Sequence, residues 1–347
     1  MAEVSKLIRA IDLFCGAGGS SCGAQQAGAT IVGGIDAWET AIDTFKLNFP
    51  KAKTWNRRIE GLTGTAIADE VGPIDLILAS PECTNHTFAK GNRRVGEQQE
   101  RSRSTAFAVT RLAKSLQPRW IVVENVVSMR QWTQYEKWKK RLKRLGYHLK
   151  EAVLDSQDFG VAQSRRRLYV ICDRLAEPPV PKPRTRKRRA VTAILHSEEC
   201  NGFNYRMSSL FGNDPKRAED TLDRARRAIA SLGSHKPFLI VYYGTDAAGG
   251  WQTLDRPLRT ITTLDRFALV RPSGKGHVMR MLQPPELAEA MGFPKRYQWP
   301  DVTRRERIKL IGNAVAPAVM KEIVALLQKN DPHPPEKPAA SKRASRI

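Results

Sequence analysis

Across residues 8 to 173, short apolar runs alternate with segments in which apolar residues recur every three or four positions. The runs Ile8 to Phe14, Thr30 to Ile35, Ile74 to Ala79, Trp120 to Val123, Tyr147 to Leu154 and Arg167 to Cys172 read as strands. Between them, Ser20 to Ala27, Trp38 to Asn48, Thr105 to Leu116 and the segment marked by Tyr135, Trp138, Leu142 and Leu145 read as helices. Pro118 breaks the third of these and Gly146 stops the fourth. Repeated β-α-β units with short apolar strands predict an α/β fold, a mostly parallel sheet with helices on both faces.

The alternation stops near Asp173. Glu177 to Arg189 contains four prolines and six basic residues, a composition that cannot form a packed element. Irregular text follows, with an Arg-rich helical segment from Ala218 to Leu232, strand-like Phe238 to Tyr243, the loop Gly244 to Gly250, and Leu258 to Thr263. Helical text resumes at Pro285 to Met291 and at Ile311 to Leu327. These breaks predict a first core segment over 1–175, a smaller inserted unit over 176–278, a return to the core over 279–330, and a disordered Pro/Lys/Ser/Ala tail over 331–347.

Bulk composition narrows the function classes. With 347 residues and 41% apolar content, most of the chain is expected to be globular. No uninterrupted apolar run approaches the ~18 residues that span a membrane, and the first residues lack the apolar core of a secretory signal. A cytoplasmic, nucleoid-associated protein without membrane contact is expected. Five cysteines (Cys15, Cys22, Cys83, Cys172, Cys200) are odd in number and have no CxxC spacing, so neither a disulfide framework nor a metal site is expected. Lys and Arg total 58 against 35 Asp and Glu, a balance of +23. An excess of that size points to a polyanion, with nucleic acid the usual one.

Two candidate reactive groups sit just past strand ends, where open α/β sheets carry their ligands. Cys83 lies in Ala79-Ser80-Pro81-Glu82-Cys83-Thr84, and Glu124 follows Trp120 to Val123. A thiol and a carboxylate so placed suit a nucleophile and a partner that manages charge on its substrate. A glycine-rich turn, Asp12-Leu13-Phe14-Cys15-Gly16-Ala17-Gly18-Gly19, joins the first strand to the first helix. Glycines there allow close backbone approach to a ligand, and Asp36 at the end of the next strand is placed to hold a ribose. The spacing is GxGG rather than GxGxxG, which argues against a dinucleotide.

Taken in order, Asp12 to Gly19, the Pro81/Cys83 loop, Glu124-Asn125-Val126, Gln163-Ser164-Arg165-Arg166-Arg167, Arg280 through Glu286 to Gly292-Phe293-Pro294, and Gly312-Asn313-Ala314-Val315 closely resemble the motifs of the DNA cytosine-5 methyltransferases. The resemblance covers about 1–173 and 279–325. It implies a Rossmann-like, S-adenosylmethionine-dependent core with an inserted target-recognition domain, acting on double-stranded DNA in a bacterium or phage. A monomer is expected, with a restriction endonuclease as a conceivable companion. By the same resemblance Cys83 would be the nucleophile, Glu124 the group at the cytosine ring nitrogen, and Arg165 and Arg167 its anchors. Phe14, Gly16, Gly18, Gly19, Asp36, Pro81, Asn313 and Val315 would form the cofactor pocket, Phe14 stacking on the adenine. The family carries proline just before the nucleophile and often glutamine just after it; here the residues are Glu82 and Thr84. A catalytically silent DNA-binding relative, the same chemistry on RNA, and a modified sulfonium donor remain open alternatives.

Overall fold

The structure is a computed structural model. It describes residues 7–82, 97–183, 188–196, 203–212, 216–243, 249–274 and 276–331, without the side chains of 97–104. Cys83 and Thr84 lie outside the described residues, as do 184–187 of the proline-arginine stretch, most of the 244–250 loop and the tail from 332 onward.

The first part of the chain forms β1 (Arg9–Leu13), α1 (Gly19–Gln26), β2 (Thr30–Asp36), α2 (Glu39–Asn48), β3 (Lys53–Asn56), α3 (Gly64–Val71), β4 (Leu76–Ala79), α4 (Glu97–Leu116), β5 (Trp120–Asn125), α5 (Tyr135–Arg144), β6 (His148–Asp155) and β7 (Arg166–Asp173). These strands make one seven-stranded sheet in the order β3-β2-β1-β4-β5-β7-β6. The first five run parallel, and β7 is antiparallel to both β5 and β6. Every residue of β4 and β5 is buried, as expected of central strands covered on both faces. One face packs Cys22, Ala24, Ile42 and Phe45 from α1 and α2. The other packs Ile67, Val109, Leu112, Trp138 and Leu142 from α3, α4 and α5.

The strand order places the site. From β1 the chain winds outward through β2 and β3, then returns to the other side of β1 for β4 and β5. A crevice opens at such a reversal, outside the carboxyl ends of the strands. Register brings three of those ends level, Leu13 opposite Ala79 and Ala79 opposite Val123.

A second, antiparallel sheet of five strands follows, in the order β10-β9-β11-β12-β8. It comprises β8 (Ser208–Ser209), β9 (Phe238–Val241), β10 (Trp251–Thr253), β11 (Phe267–Ser273) and β12 (Gly276–Met281), with α6 (Glu219–Leu232) between β8 and β9. Its own core holds Ala225 and Ala228 of α6 against Phe238, Ile240, Ala268 and Val270, with Trp251 packed at the edge. β12 carries this sheet to Met281 before the chain returns through α7 (Pro284–Met291), α8 (Arg304–Asn313) and α9 (Pro317–Lys329).

Several local expectations change. Ile311 to Leu327 is not one helix: α8 ends at Asn313, and Pro317 opens α9 at the first-turn position where a missing N–H costs nothing. The 304–329 stretch is apolar enough by composition to cross a membrane, yet 67% of its apolar window is buried within the protein. Leu258 to Thr263 runs as a loop. It makes one bridge, Gln163 to Leu258, where the Leu258 N–H and carbonyl pair with the Ala162 and Ser164 backbone at 2.8 Å, and further on the Ile261 N–H donates to the side-chain Oε1 of Gln163 at 2.8 Å. β3 and α3 escape the hydrophobic pattern because each buries little: Trp55 in one, Gly64 and Ile67 in the other.

Candidate active site

The glycine turn leaves β1 through Phe14, a non-glycine residue at φ 63°, and Gly16 and Gly18 at φ 51° and 75°. Left-handed backbone at a non-glycine residue is uncommon and marks a conformation that its surroundings enforce. The enforcing contacts come from both neighbouring strands. Ser80, just past β4, donates its backbone N–H to the Leu13 carbonyl at 3.1 Å and its hydroxyl to the Phe14 carbonyl at 2.9 Å. The Cys15 N–H donates to the Ile35 carbonyl at 3.0 Å. Gly19 opens α1 against the Val315 backbone, where a Cβ would lie 2.1 Å from the Val315 oxygen.

Asp36 ends β2 and faces this turn. Its Oδ2 accepts from the Gly16 N–H and its Oδ1 from the Trp38 N–H, both at 2.9 Å. Burial pushes its carboxyl up from the ordinary range, those two N–H groups oppose the shift, and the charge of Glu82 adds to it. A carboxylate has about four acceptor positions, so lone pairs remain for ligand hydroxyls. A Cβ on Gly16 would meet no atom within 4 Å. Open space over Gly16, the half-buried Phe14 ring and the partly exposed Asp36 together fit an adenosine-bearing ligand. Trp38 adds a half-buried indole, with Lys309 Nζ 4.0 Å from its centroid.

Beneath the turn lies a carboxyl that sequence reading did not single out. Asp12 is fully buried, its Oδ2 accepts from the Ser21 hydroxyl at 2.7 Å, and its Oδ1 has no hydrogen-bond partner among the described residues. Burial pushes it up to about 7, with the Ser21 hydroxyl opposing. Between the ordinary value of 3.8 and about 7 the folded protein binds more protons here than the unfolded chain. Asp12 therefore costs stability progressively as pH rises through that window, on the order of 2–4 kcal/mol above it. Asp12→Asn should gain stability over wild type as pH rises from 4 to 8 in thermal melts. A difference that stays flat across that range would refute the assignment.

Glu124 and Arg167 face one another from β5 and β7. Glu124 is 7% exposed, and Arg167 Nε lies 3.3 Å from its Oε1. Burial raises the Glu124 carboxyl above its ordinary value, and the charges of Arg167 and then Arg165 pull the other way. Arg165 has a wider role than an anchor for Glu124. Its guanidinium donates to the carbonyls of Ile261, Gly312 and Ala314 at 3.1, 3.0 and 3.1 Å, joining β7 to the loop before β11 and to the end of α8.

Asn125 was not assigned a role from sequence, although it stands inside Glu124-Asn125-Val126. Its Nδ2 donates to the Pro81 carbonyl at 3.1 Å and its Oδ1 accepts from the Val126 N–H at 2.8 Å. It thereby ties the end of β5 to the loop entering Cys83. Pro81 is buried and Glu82 exposed. Of the residues expected in the pocket, Phe14, Gly16, Gly18, Gly19, Asp36 and Val315 converge at the crevice; Asn313 is exposed at the end of α8, two residues before Val315. Cys83 itself is outside the described residues, one position beyond Glu82.

Known proteins resemble this chain in both sequence and fold. Residues 8–329 match the family model for C-5 cytosine-specific DNA methylases. The chain is 33% identical to the type II methyltransferase M.HgiDI of Herpetosiphon aurantiacus, over 89% of this chain and 90% of that one. It is 24% identical to the tRNA (cytosine(38)-C(5))-methyltransferase of Spodoptera frugiperda, over 91% and 98%. The structure of the Entamoeba histolytica methyltransferase EhMeth superposes with a TM-score of 0.68 at 16% identity, covering 93% of this chain and 98% of that one; at that identity it speaks to the fold alone. With a family model spanning nearly the whole chain, and both sheets and the crevice in place, the chain belongs to the C-5 cytosine-specific DNA methylase family.

Proposed function

We propose that this enzyme methylates C5 of a cytosine flipped out of duplex DNA, with S-adenosylmethionine as donor and Cys83 as nucleophile. The observation that carries the reading is the convergence at one crevice: the loop entering Cys83 is tied by Asn125 to the strand bearing Glu124, beside the turn that faces Asp36. When bound, the donor supplies an electrophilic methyl group on a sulfonium. Phe14, Gly16, Gly18, Gly19, Asp36, Pro81, Asn313 and Val315 would hold it.

Cytosine C5 is a poor nucleophile until C6 is attacked. The Cys83 thiolate adds to C6, and the electron pair of the C5–C6 bond becomes available at C5. Glu124, buried and with a raised carboxyl pKa, is suited to present a proton to the ring nitrogen and so neutralise charge that develops during addition. Arg167 holds that carboxyl in place. C5 would then take the methyl group, its C–S bond breaking to leave a neutral thioether, and loss of the C5 proton expels Cys83 as thiolate and restores the aromatic ring. A base stacked in a duplex is out of reach of such a crevice and has to be extruded, at a cost of a few kcal/mol that backbone contacts offset.

The five-stranded sheet, within the inserted unit over 176–278 and its continuation into β12, is the candidate target reader. A groove of about 680 Å³ on it is lined by Arg206, Lys216, Arg217, Tyr242 and Phe203, among others. Basic and aromatic side chains of this kind suit phosphate and base contacts. The test is transfer of labelled methyl from S-adenosylmethionine to duplex DNA and to RNA of the same sequence, followed by bisulfite sequencing of the DNA. Label at cytosine in DNA is the expected result. Label in RNA alone moves the substrate to RNA, and label in neither, with DNA still bound, leaves a silent relative.

A further inference from the structure

Tyr297 lies between α7 and α8, 280 positions from the glycine turn, yet its hydroxyl donates to the Ala17 carbonyl within that turn. The side chain is 7% exposed. A Cβ on Gly18 would lie 2.7 Å from Tyr297 Oη and 2.7 Å from Phe49 Cε2, so the Ala17–Gly18 peptide occupies a slot between the two rings. The other end of that peptide is also held, because the Gly18 N–H donates to the Cys15 carbonyl at 2.8 Å and closes the turn. Both polar atoms of the peptide plane are therefore fixed, and the plane cannot rotate without losing two buried hydrogen bonds. Burial keeps the phenol neutral, with its ionisation pushed well above the usual range.

Tyr297 is itself clamped. Its ring packs on Phe293 and Trp299 with centroids 4.6 and 5.4 Å away. The next residue, Gln298, makes a reciprocal pair with Asn48 at the end of α2: Asn48 Nδ2 donates to the Gln298 carbonyl at 2.8 Å, and the Gln298 N–H donates to Asn48 Oδ1 at 2.9 Å. The helix that receives this clasp begins just after Asp36 and Trp38. The returning segment thus grips the turn and the helix behind Asp36 at once.

We propose that Tyr297 is a positioning residue for cofactor binding: by holding the Ala17 carbonyl it fixes the peptide planes of the turn, and with them the backbone surface at Gly16 that meets S-adenosylmethionine. The inference rests on reading the turn as the cofactor site. It assigns a role in donor affinity to a residue that touches neither donor nor cytosine.

The experiment is calorimetric titration of the full chain with S-adenosylmethionine, with steady-state kinetics on DNA alongside. Tyr297→Phe removes one hydroxyl and keeps the ring stack. It is expected to raise Kd and KM for the donor about 3- to 10-fold, the value of one buried hydrogen bond, while kcat and DNA affinity hold. Asn48→Ala releases the same segment from its exposed side and should shift Kd in the same direction, about 2- to 3-fold. Tyr147→Phe is the control: its hydroxyl makes an equally buried bond to the Pro118 carbonyl, at 2.5 Å, away from the turn, and should leave Kd unchanged. Tyr297→Phe binding the donor as tightly as wild type overturns the proposal, as does an equal loss in Tyr147→Phe. Absence of donor binding by wild type would instead overturn the cofactor reading beneath it.

Discussion

Glu124→Gln is expected to lower the single-turnover rate of methyl transfer at least about 100-fold, with DNA and donor affinity nearly unchanged. Glutamine matches glutamate in size and keeps an oxygen facing Arg167, but it has no acid proton to present. General acid assistance of this kind is worth roughly 10²–10⁴ in rate. The environment raises the Glu124 carboxyl above its ordinary value. Glu124 is at the end of a fully buried strand, and desolvation outweighs the two arginine charges. Arg167, also largely buried, would lose an ionic partner, so some loss of stability accompanies the change. Melting curves separate the two effects. A glutamine variant within about threefold of wild type in rate would show that Glu124 is a buried partner for Arg167 and no part of the chemistry.

Gly19→Ala is expected to be the most damaging single methyl group in the crevice. A Cβ there would stand 2.1 Å from the Val315 oxygen, 3.1 Å from its carbon and 3.2 Å from its nitrogen. The obstacle is backbone, so no side-chain rotation relieves it. α1 would have to separate from the start of α9, along an interface that buries Cys22 and Ala24 with Val319, Met320 and Ile323. Overpacking of this kind costs about 1–3 kcal/mol, and more where backbone cannot yield. At about 2–4 °C per kcal/mol, a drop of roughly 5–10 °C in Tm is expected, with loss of donor binding. Gly16→Ala is the contrast. Its Cβ would meet no atom within 4 Å, although φ is 51°, so only the left-handed backbone penalty of about 1–2 kcal/mol applies. A Gly19→Ala protein melting within 2 °C of wild type would contradict the close packing.

The strands that bear the candidate site were readable because they are short and bounded by turn residues; Leu76 to Ala79 and Trp120 to Asn125 are both entirely buried. Motif order singled out the glycine turn, Asp36, Glu124 and Arg167, and the structure sets Asp36 against the turn and Arg167 against Glu124. What local pattern did not carry were the long-range ties. The three carbonyls held by Arg165 come from segments 96 to 149 positions away. Tyr297 reads as one more aromatic between Phe293 and Trp299 until its hydroxyl is seen on Ala17. The Asn125 bond to Pro81 had a signal, a second polar residue after Glu124 at the close of a buried strand, whose meaning depended on knowing that β4 lies beside β5. Leu258 to Thr263 is held by long-range ties as well: Leu258 and Ile261 face the core, while backbone groups of the segment are met by Ala162, Gln163 and Ser164.

The most direct measurement is covalent capture. Duplex DNA carrying 5-fluorocytosine at the target position, incubated with the enzyme and S-adenosylmethionine, blocks the last step because fluorine cannot leave C5 as a proton does. The prediction is a denaturant-resistant protein–DNA adduct that carries one transferred methyl group, maps to Cys83 by peptide mass, and is absent from Cys83→Ala. Methylation of ordinary cytosine with no adduct on the fluorinated duplex, or an adduct that persists in Cys83→Ala, would contradict it.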